Sequence, residues 1–301
     1  MRVLTFWLRP AFLLRAVNRF QKLVGFDRSM ALSSNALTAL VPLALLLASV
    51  MQRIGPGSLA DRIVGHYRLT GGGAEAVTFL FTHPIGTDNG TSIVSVVFLL
   101  LSVLSFSRAA QRLFERTWEL TALSVRNTKN GLWWILTLAL FLFVVGWLHA
   151  LLDSGRLELA ATVCQAPVTG LFLLWSGRIL SAWRVGWREL TPFAVIGGAA
   201  TGVYGVGMAF YLPHLFSSYA TRYGPIGAVF AMITALFGAM LVLVASSALG
   251  REVRVELDRI NQGHRPPEDE VRREWAEFVG RLREGFQTVR RNRSSGGAKV
   301  P

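Results

Sequence analysis

An all-α, polytopic membrane protein, built as a six-helix transmembrane bundle with amphipathic interfacial helices at both termini, is the fold this sequence predicts, and three observations predict it. Of the 301 residues 52% are hydrophobic and only 16% charged, with a mean hydropathy of +0.42. That is too apolar for a water-soluble domain of this size. Six stretches free of Asp, Glu, Lys and Arg approach the roughly 20 residues needed to cross a hydrocarbon core about 30 Å thick at about 1.5 Å per residue. Finally, the basic residues alternate between rich and poor connections along the chain.

Taken in order, residues 1–29 read as a cytoplasmic N-terminal arm. Arg9, Pro10 and Arg15 interrupt any signal-peptide apolar core, and no small-residue cleavage site follows. Leu13, Val17, Phe20 and Val24 recur at helical spacing while Arg15, Arg19 and Lys22 occupy another face. Such a helix lies flat at an anionic headgroup layer.

The membrane domain covers 30–249, with spans at about 30–51, 91–106, 132–152, 159–176, 192–212 and 225–249. The second is short, and the fourth contains Pro167. An outer loop at 52–90 holds "SLADRIVGHYRL", read as a short amphipathic helix, then the turn-rich "TGGGAEA" and "HPIGTDNG". Residues 250–289 form a cytoplasmic tail, where Val271, Trp275, Phe278, Leu282 and Phe286 recur at helical spacing after "GHRPPEDE". Residues 290–301, "RRNRSSGGAKVP", read as a disordered basic end.

Orientation follows from charge, because short connections rich in Lys and Arg stay cytoplasmic. The two termini with the second and fourth loops carry 26 of the 31 basic residues. Both termini are therefore expected in the cytoplasm of a cell with this protein in its plasma membrane. The net charge of +13 reads as a collar for anionic headgroups, with Arg108, Arg112, Arg184 and Arg188 as candidate lipid contacts. Nucleic-acid binding would need basic residues interleaved with aromatics on a soluble module, and no such module is visible. The expected partners are membrane lipids and a protein partner or second copy of the chain, not nucleic acid.

Helix packing in lipid favours small residues. Gly198, Gly202, Gly205 and Ala209 share a face of the fifth span; Gly227, Ala231, Thr234, Gly238 and Ala245 share one of the sixth. The first span has a polar line at Asn35, Thr38, Pro42 and Ser49, and the second at Thr91, Ser95, Ser102 and Ser105. These faces suit either interhelical packing or the lining of a groove. In "ATRYGPIGAVF", Tyr223 suits an interface anchor, Gly224 a non-helical cap and Pro225 the first helical position.

Catalytic chemistry finds little support. Of five histidines, His66, His83, His149 and His214 fall at or beyond the outer surface, leaving His264 in the cytoplasm. There is no HExxH and no GxxxxGK[ST]. His149 and Asp153, four apart, read as an interfacial hydrogen-bonded pair. Cys164, alone and within a span, forms no disulfide and reads as a packing residue. No catalytic residue, metal or cofactor is expected. The absence of carboxylates from the spans disfavours an ion-coupled carrier.

Several stretches in order resemble the YihY/BrkB family of membrane proteins. "TALVPL" (38–43), with Pro42, is similar to its serine-leucine-x-proline-leucine segment. "SRAAQRLFERTW" (107–118) resembles its segment ending in tryptophan, here Trp118. "RVGWRELTPFAVIGGA" (184–199) matches its basic loop with Trp187. "YATRYGPIGAVF", with Tyr223, Gly224 and Gly227, and "ALGREV" (248–253), with Glu252, resemble the two ends of its last span, although Arg251 stands where the family commonly has alanine.

The resemblance implies a multi-pass inner-membrane protein. Its members have carried the labels ribonuclease BN and virulence factor, and some are linked to envelope lipid or polysaccharide handling. A zinc-type ribonuclease needs several histidines and acids in the cytoplasm, where this chain has only His264. The functional expectation is a protein that handles or translocates lipids or other amphiphiles without its own ATPase. The alternative is a scaffold that recruits partners through its C-terminal helix.

Overall fold

The computed structural model describes residues 10–54, 64–65, 89–121, 128–152, 158–262, 272–273, 275–277 and 279–280. The amphipathic segment expected early in the 52–90 loop, and Val271, Phe278, Leu282 and Phe286 of the tail, lie outside them. Among the described residues seven helices follow in order: α1 (Pro10–Lys22), α2 (Gly25–Ile54), α3 (Asn89–Thr117), α4 (Thr128–Leu152), α5 (Glu158–Leu180), α6 (Trp187–Tyr223) and α7 (Pro225–Asn261). The described residues contain no strand. Four segments among them are long and apolar enough to cross a membrane: Val97–Thr117, Lys129–Leu148, Trp187–Tyr223 and Val229–Asn261.

Each helix outruns the apolar stretch within it. α6 and α7 have 37 residues each, about 55 Å of helix against a core of about 30 Å. The charge boundary at residue 250 leaves no mark on the backbone. Arg and Glu are good helix formers, so α7 continues unbroken through Arg251, Glu252, Arg254 and Glu256. Its start is as expected from sequence, with Gly224 at φ 60° as the cap and Pro225 at the first helical position. The pairing of Pro and Gly works because proline lacks the NH that would go unused there, and glycine has no Cβ to resist positive φ.

Helix α1 ends earlier than its periodicity suggests. Val24 has φ 53°, and its NH donates to the Gln21 carbonyl at 2.8 Å. It therefore caps α1 and sets the bend into α2 instead of extending the apolar face.

α7 packs along α6 and α2, α5 packs between α4 and α6, and α3 packs on α2. The deepest packing is at the end where the basic residues gather. There Phe114 stacks on Trp118 with ring centroids 5.2 Å apart, and Phe193 meets both edge-on at 5.3 and 5.7 Å. Leu113, Leu180, Leu190 and Val244 complete this core.

Two glycine contacts bring backbones together where side chains cannot fit. A Cβ on Gly198 would lie 2.7 Å from the Ala166 carbonyl oxygen, and one on Gly202 would lie 2.8 Å from the Ala166 Cβ. The α5–α6 crossing therefore runs through these two positions. Gly238 of α7 instead makes room for a side chain, the Tyr204 ring, whose hydroxyl donates to the Ala235 carbonyl at 2.6 Å. All three are packing positions.

Candidate functional site

The basic face of α1 points into the protein. Arg15 is 7% exposed, while Leu13, on the apolar face, is 62% exposed. Arg15 and Arg19 are thus turned toward α7. The physical reason is that carboxylates lie on the inner side of α1, so the buried guanidiniums are paired there while its apolar face is left exposed.

Those carboxylates are Glu252 and Glu256, one turn apart on α7 and both buried. Arg15 Nε donates to Glu252 Oε1 at 2.8 Å, and its Nη2 donates to Glu256 Oε2 at 2.5 Å. Arg19 Nε donates to the second oxygen of Glu252 at 3.1 Å. Glu252 thus bridges two arginines, and Arg259 approaches Glu256 at 3.6 Å. A buried carboxylate costs several kcal/mol of desolvation unless charge and hydrogen bonds compensate it. Such a network adds little net stability but tolerates few alternative arrangements.

Further along the same end, Glu115 of α3 is buried and accepts from Gln111 Nε2 at 2.9 Å, with Arg184 Nη2 at 3.6 Å. Arg19 also lies 3.6 Å from Glu119, just past α3. Between α1, the end of α3 and the last turns of α7 there is an open cavity of about 610 Å³. Arg15, Arg19, Lys22, Arg116 and Arg259 line it opposite Glu115, Glu119 and Glu252, so cations outnumber carboxylates on its wall. Leu23, Leu120 and Val255 add apolar groups to the wall. A space of this size, polar, cation-rich and partly apolar, suits a small anion carrying an apolar body.

The candidate lipid arginines divide. Arg108, Arg112 and Arg188 are exposed and make no ion pair among the described residues. Arg184 is engaged: it donates to the Thr121 carbonyl at 2.7 Å and the Ser181 carbonyl at 2.9 Å besides facing Glu115. Its place is a strut between the α5–α6 turn and the end of α3. Lys22 sits 3.6 Å from Glu277 of the tail.

The polar faces are brought together only in part. Ser105 donates to Asn35 Oδ1 at 3.4 Å across α2 and α3. Ser102 is buried, while Thr38 is exposed and its hydroxyl donates to the Ser34 carbonyl within its own helix. Thr234 likewise is exposed, donating to the Phe230 carbonyl at 2.8 Å. It therefore lies off the packing face assigned to it, because the true seam passes through Ala231 and Gly238. Gly227 is buried beside the cap, its NH donating to the Gly224 carbonyl. Pro42 lies in α2 and Ser95 in α3, with side chains outside the described residues, as are those of His149 and Asp153. Cys164 is exposed on α5.

The motif positions acquire distinct physical roles. Trp118 sits in the aromatic core, and Glu252 holds α1. Trp187 is partly exposed beside Trp175 and Trp183, with the Arg178 guanidinium 5.6 Å from its ring. Tyr223 is exposed and its ring lies 6.0 Å from Phe230. Sequence reasoning missed Glu115, Glu256 and Gly250. The i, i+4 spacing of Glu252 and Glu256 was a visible signal for one of them, but their partner lies 237 residues from Glu252.

Among the described residues no group of three His, Cys, Asp or Glu side chains is placed to hold a metal ion. No curated protein and no solved structure matches the chain. The sequence model of the family described as Virulence factor BrkB matches residues 16–272. That match takes in α2 to α7, Arg19, Glu252 and Glu256, and agrees with the motifs read in order along the sequence. With most of its length matched and its helices apolar enough to span, this chain belongs to the Virulence factor BrkB family and is an integral membrane protein.

Proposed function

We propose that the chain crosses the plasma membrane six times, through α2 to α7, with both termini in the cytoplasm, and that it binds and translocates anionic lipids or related amphiphiles. It does so without an ATPase or catalytic centre of its own. α2 and α5 supply two spans beyond the four segments already identified as long and apolar enough to cross, through residues 30–51 and 159–176. The basic end then lies at the cytoplasmic headgroup level. The exposed cluster of Trp175, Trp183 and Trp187 at the α5–α6 turn supports that depth, since amphipathic indoles favour the interface.

The observation that carries the reading is the cavity between α1, α3 and α7. Its excess of cations favours an anionic headgroup, and Leu23, Leu120 and Val255 on its wall favour the adjoining acyl region. Exposed Arg108 and Arg112 lie on the flank of α3 nearby and raise the local concentration of anionic lipid.

Reconstitution into liposomes with fluorescent lipids tests it. Anionic lipids are expected to exchange between leaflets faster than in protein-free vesicles; rates equal to empty vesicles across several headgroups would contradict the proposal. A scaffold role is the second reading, favoured by Trp275, which is 55% exposed in the tail. Deleting Pro266 to Pro301 separates the two, because a translocator keeps its exchange activity and a scaffold loses its cellular phenotype.

A further inference from the structure

The register of α2 against α3 gathers three arginines that the ion-pair network leaves out. The two helices run antiparallel, and the Ser105–Asn35 contact at 3.4 Å fixes their alignment. Two turns toward the basic end from that contact stand Arg28 on α2 and Arg112 on α3. Arg116 follows one turn later on the same face as Arg112.

Arg28 is half-buried and tethered, its Nε donating to the Leu23 carbonyl at 2.6 Å, which leaves its terminal nitrogens for another acceptor. No carboxylate among the described residues pairs with Arg28, Arg112 or Arg116. Two acids at the end of α3 are engaged elsewhere, Glu115 by Gln111 and Arg184 and Glu119 by Arg19, and Asp27, next to Arg28 in the sequence, forms no ion pair with the three. Burial, then the nearby charges of Arg116 and Arg112, hold the Arg28 pKa below the ordinary arginine value. Like charges gathered without a counter-ion raise the energy of the empty state, and an oxyanion reverses the sign of that term.

We infer that Arg28, Arg112 and Arg116 form a binding site for a phosphate group. Guanidinium forks match phosphate oxygens in pairs, and three donors from two helices enclose one group better than a diffuse collar does. Arg116 also lines the cavity, so the site forms its α3 edge. For a lipid as the source of the phosphate, the inference rests on the amphiphile reading above.

The test uses the full chain, purified in detergent and stripped of lipid, with phosphatidic acid, phosphatidylcholine and inorganic phosphate as probes in native mass spectrometry. The double variant Arg112→Ala with Arg116→Ala is compared with Lys129→Ala plus Arg222→Ala, two exposed positions outside the site, which removes the same charge elsewhere. Phosphatidic acid binding is expected to weaken about tenfold or more in the first pair, the equivalent of one lost charge-assisted contact, and less than about twofold in the second. Equal weakening in both pairs, or none in either, overturns the site. Displacement of the lipid by millimolar inorganic phosphate assigns the site to free phosphate; retention of the lipid assigns it to headgroups.

Thermal unfolding guards against a folding defect. Removing two mutually repelling cations is expected to leave the unliganded melting temperature unchanged or higher, while abolishing the rise that phosphatidic acid gives the wild type. A rise kept in full by the variant also overturns the site. Leaflet exchange is scored separately, so that lipid binding without exchange refutes translocation and leaves the phosphate site standing.

Discussion

Glu252→Ala is expected to cost about 3–5 kcal/mol, the range for removing one partner of a buried ion pair. The loss exceeds that of a surface pair because Arg15 and Arg19 each donate to a different oxygen of Glu252, and Arg15 has almost no access to water. Glu256 retains Arg15 on one side only. The consequence extends beyond stability: without Glu252, α1 loses its main attachment to α7, and the cavity loses a wall. Melting temperature in detergent and protease access to α1 both report it. The double variant Arg15→Met with Glu252→Met is expected to lose less than Glu252→Ala alone, since two apolar groups leave no orphaned charge. A melting temperature for Glu252→Ala within about 1 °C of wild type would remove the network from the account.

Gly250→Leu carries the second large effect. A Cβ there would stand 2.4 Å from the Phe193 Cα and 2.7 Å from its backbone nitrogen. Flexible side chains can yield to such a contact, but backbone in a packed helix cannot. The α6–α7 crossing must open, and Phe193, 0% exposed, must leave the ring cluster with Phe114 and Trp118. The expected cost is about 3 kcal/mol or more, at the upper end of overpacking penalties. Gly146→Leu is the control, because a Cβ at Gly146 meets nothing within 4 Å. Folded yield and melting temperature are expected to fall for the first and hold for the second; parity between them would contradict the packing.

The two variants also show what the sequence could reveal. Apolar length was legible because a bilayer demands it locally, residue by residue. The cap at Gly224 and Pro225 was legible for the same reason, as its physics spans two residues. Gly198, Gly202 and Gly238 could be marked as close-approach positions, but choosing between packing and groove needed the partner helix.

At Gly250 nothing local in the sequence announces the contact with Phe193. For α1, periodicity defined two faces without saying which was outward. That answer depended on carboxylates more than two hundred residues away. Glu252 stood out by resemblance to a family motif alone; its bridging of two arginines from the N-terminal helix supplies the physical reason. Arg184 was grouped with Arg108, Arg112 and Arg188 by charge, and only geometry shows that it alone of the four bridges two elements.

The central claim, that the cavity between α1, α3 and α7 receives the headgroup region of an anionic amphiphile, is tested most directly by photocrosslinking. A photoreactive residue replaces Leu120 or Val255 on the cavity wall, or Leu140 on the exposed face of α4, in liposomes containing phosphatidylglycerol. The account predicts lipid adducts at Leu120 and Val255 that an excess of short-chain anionic lipid suppresses, with adducts at Leu140 that it does not suppress. Adducts at Leu140 with none at either cavity position would contradict it.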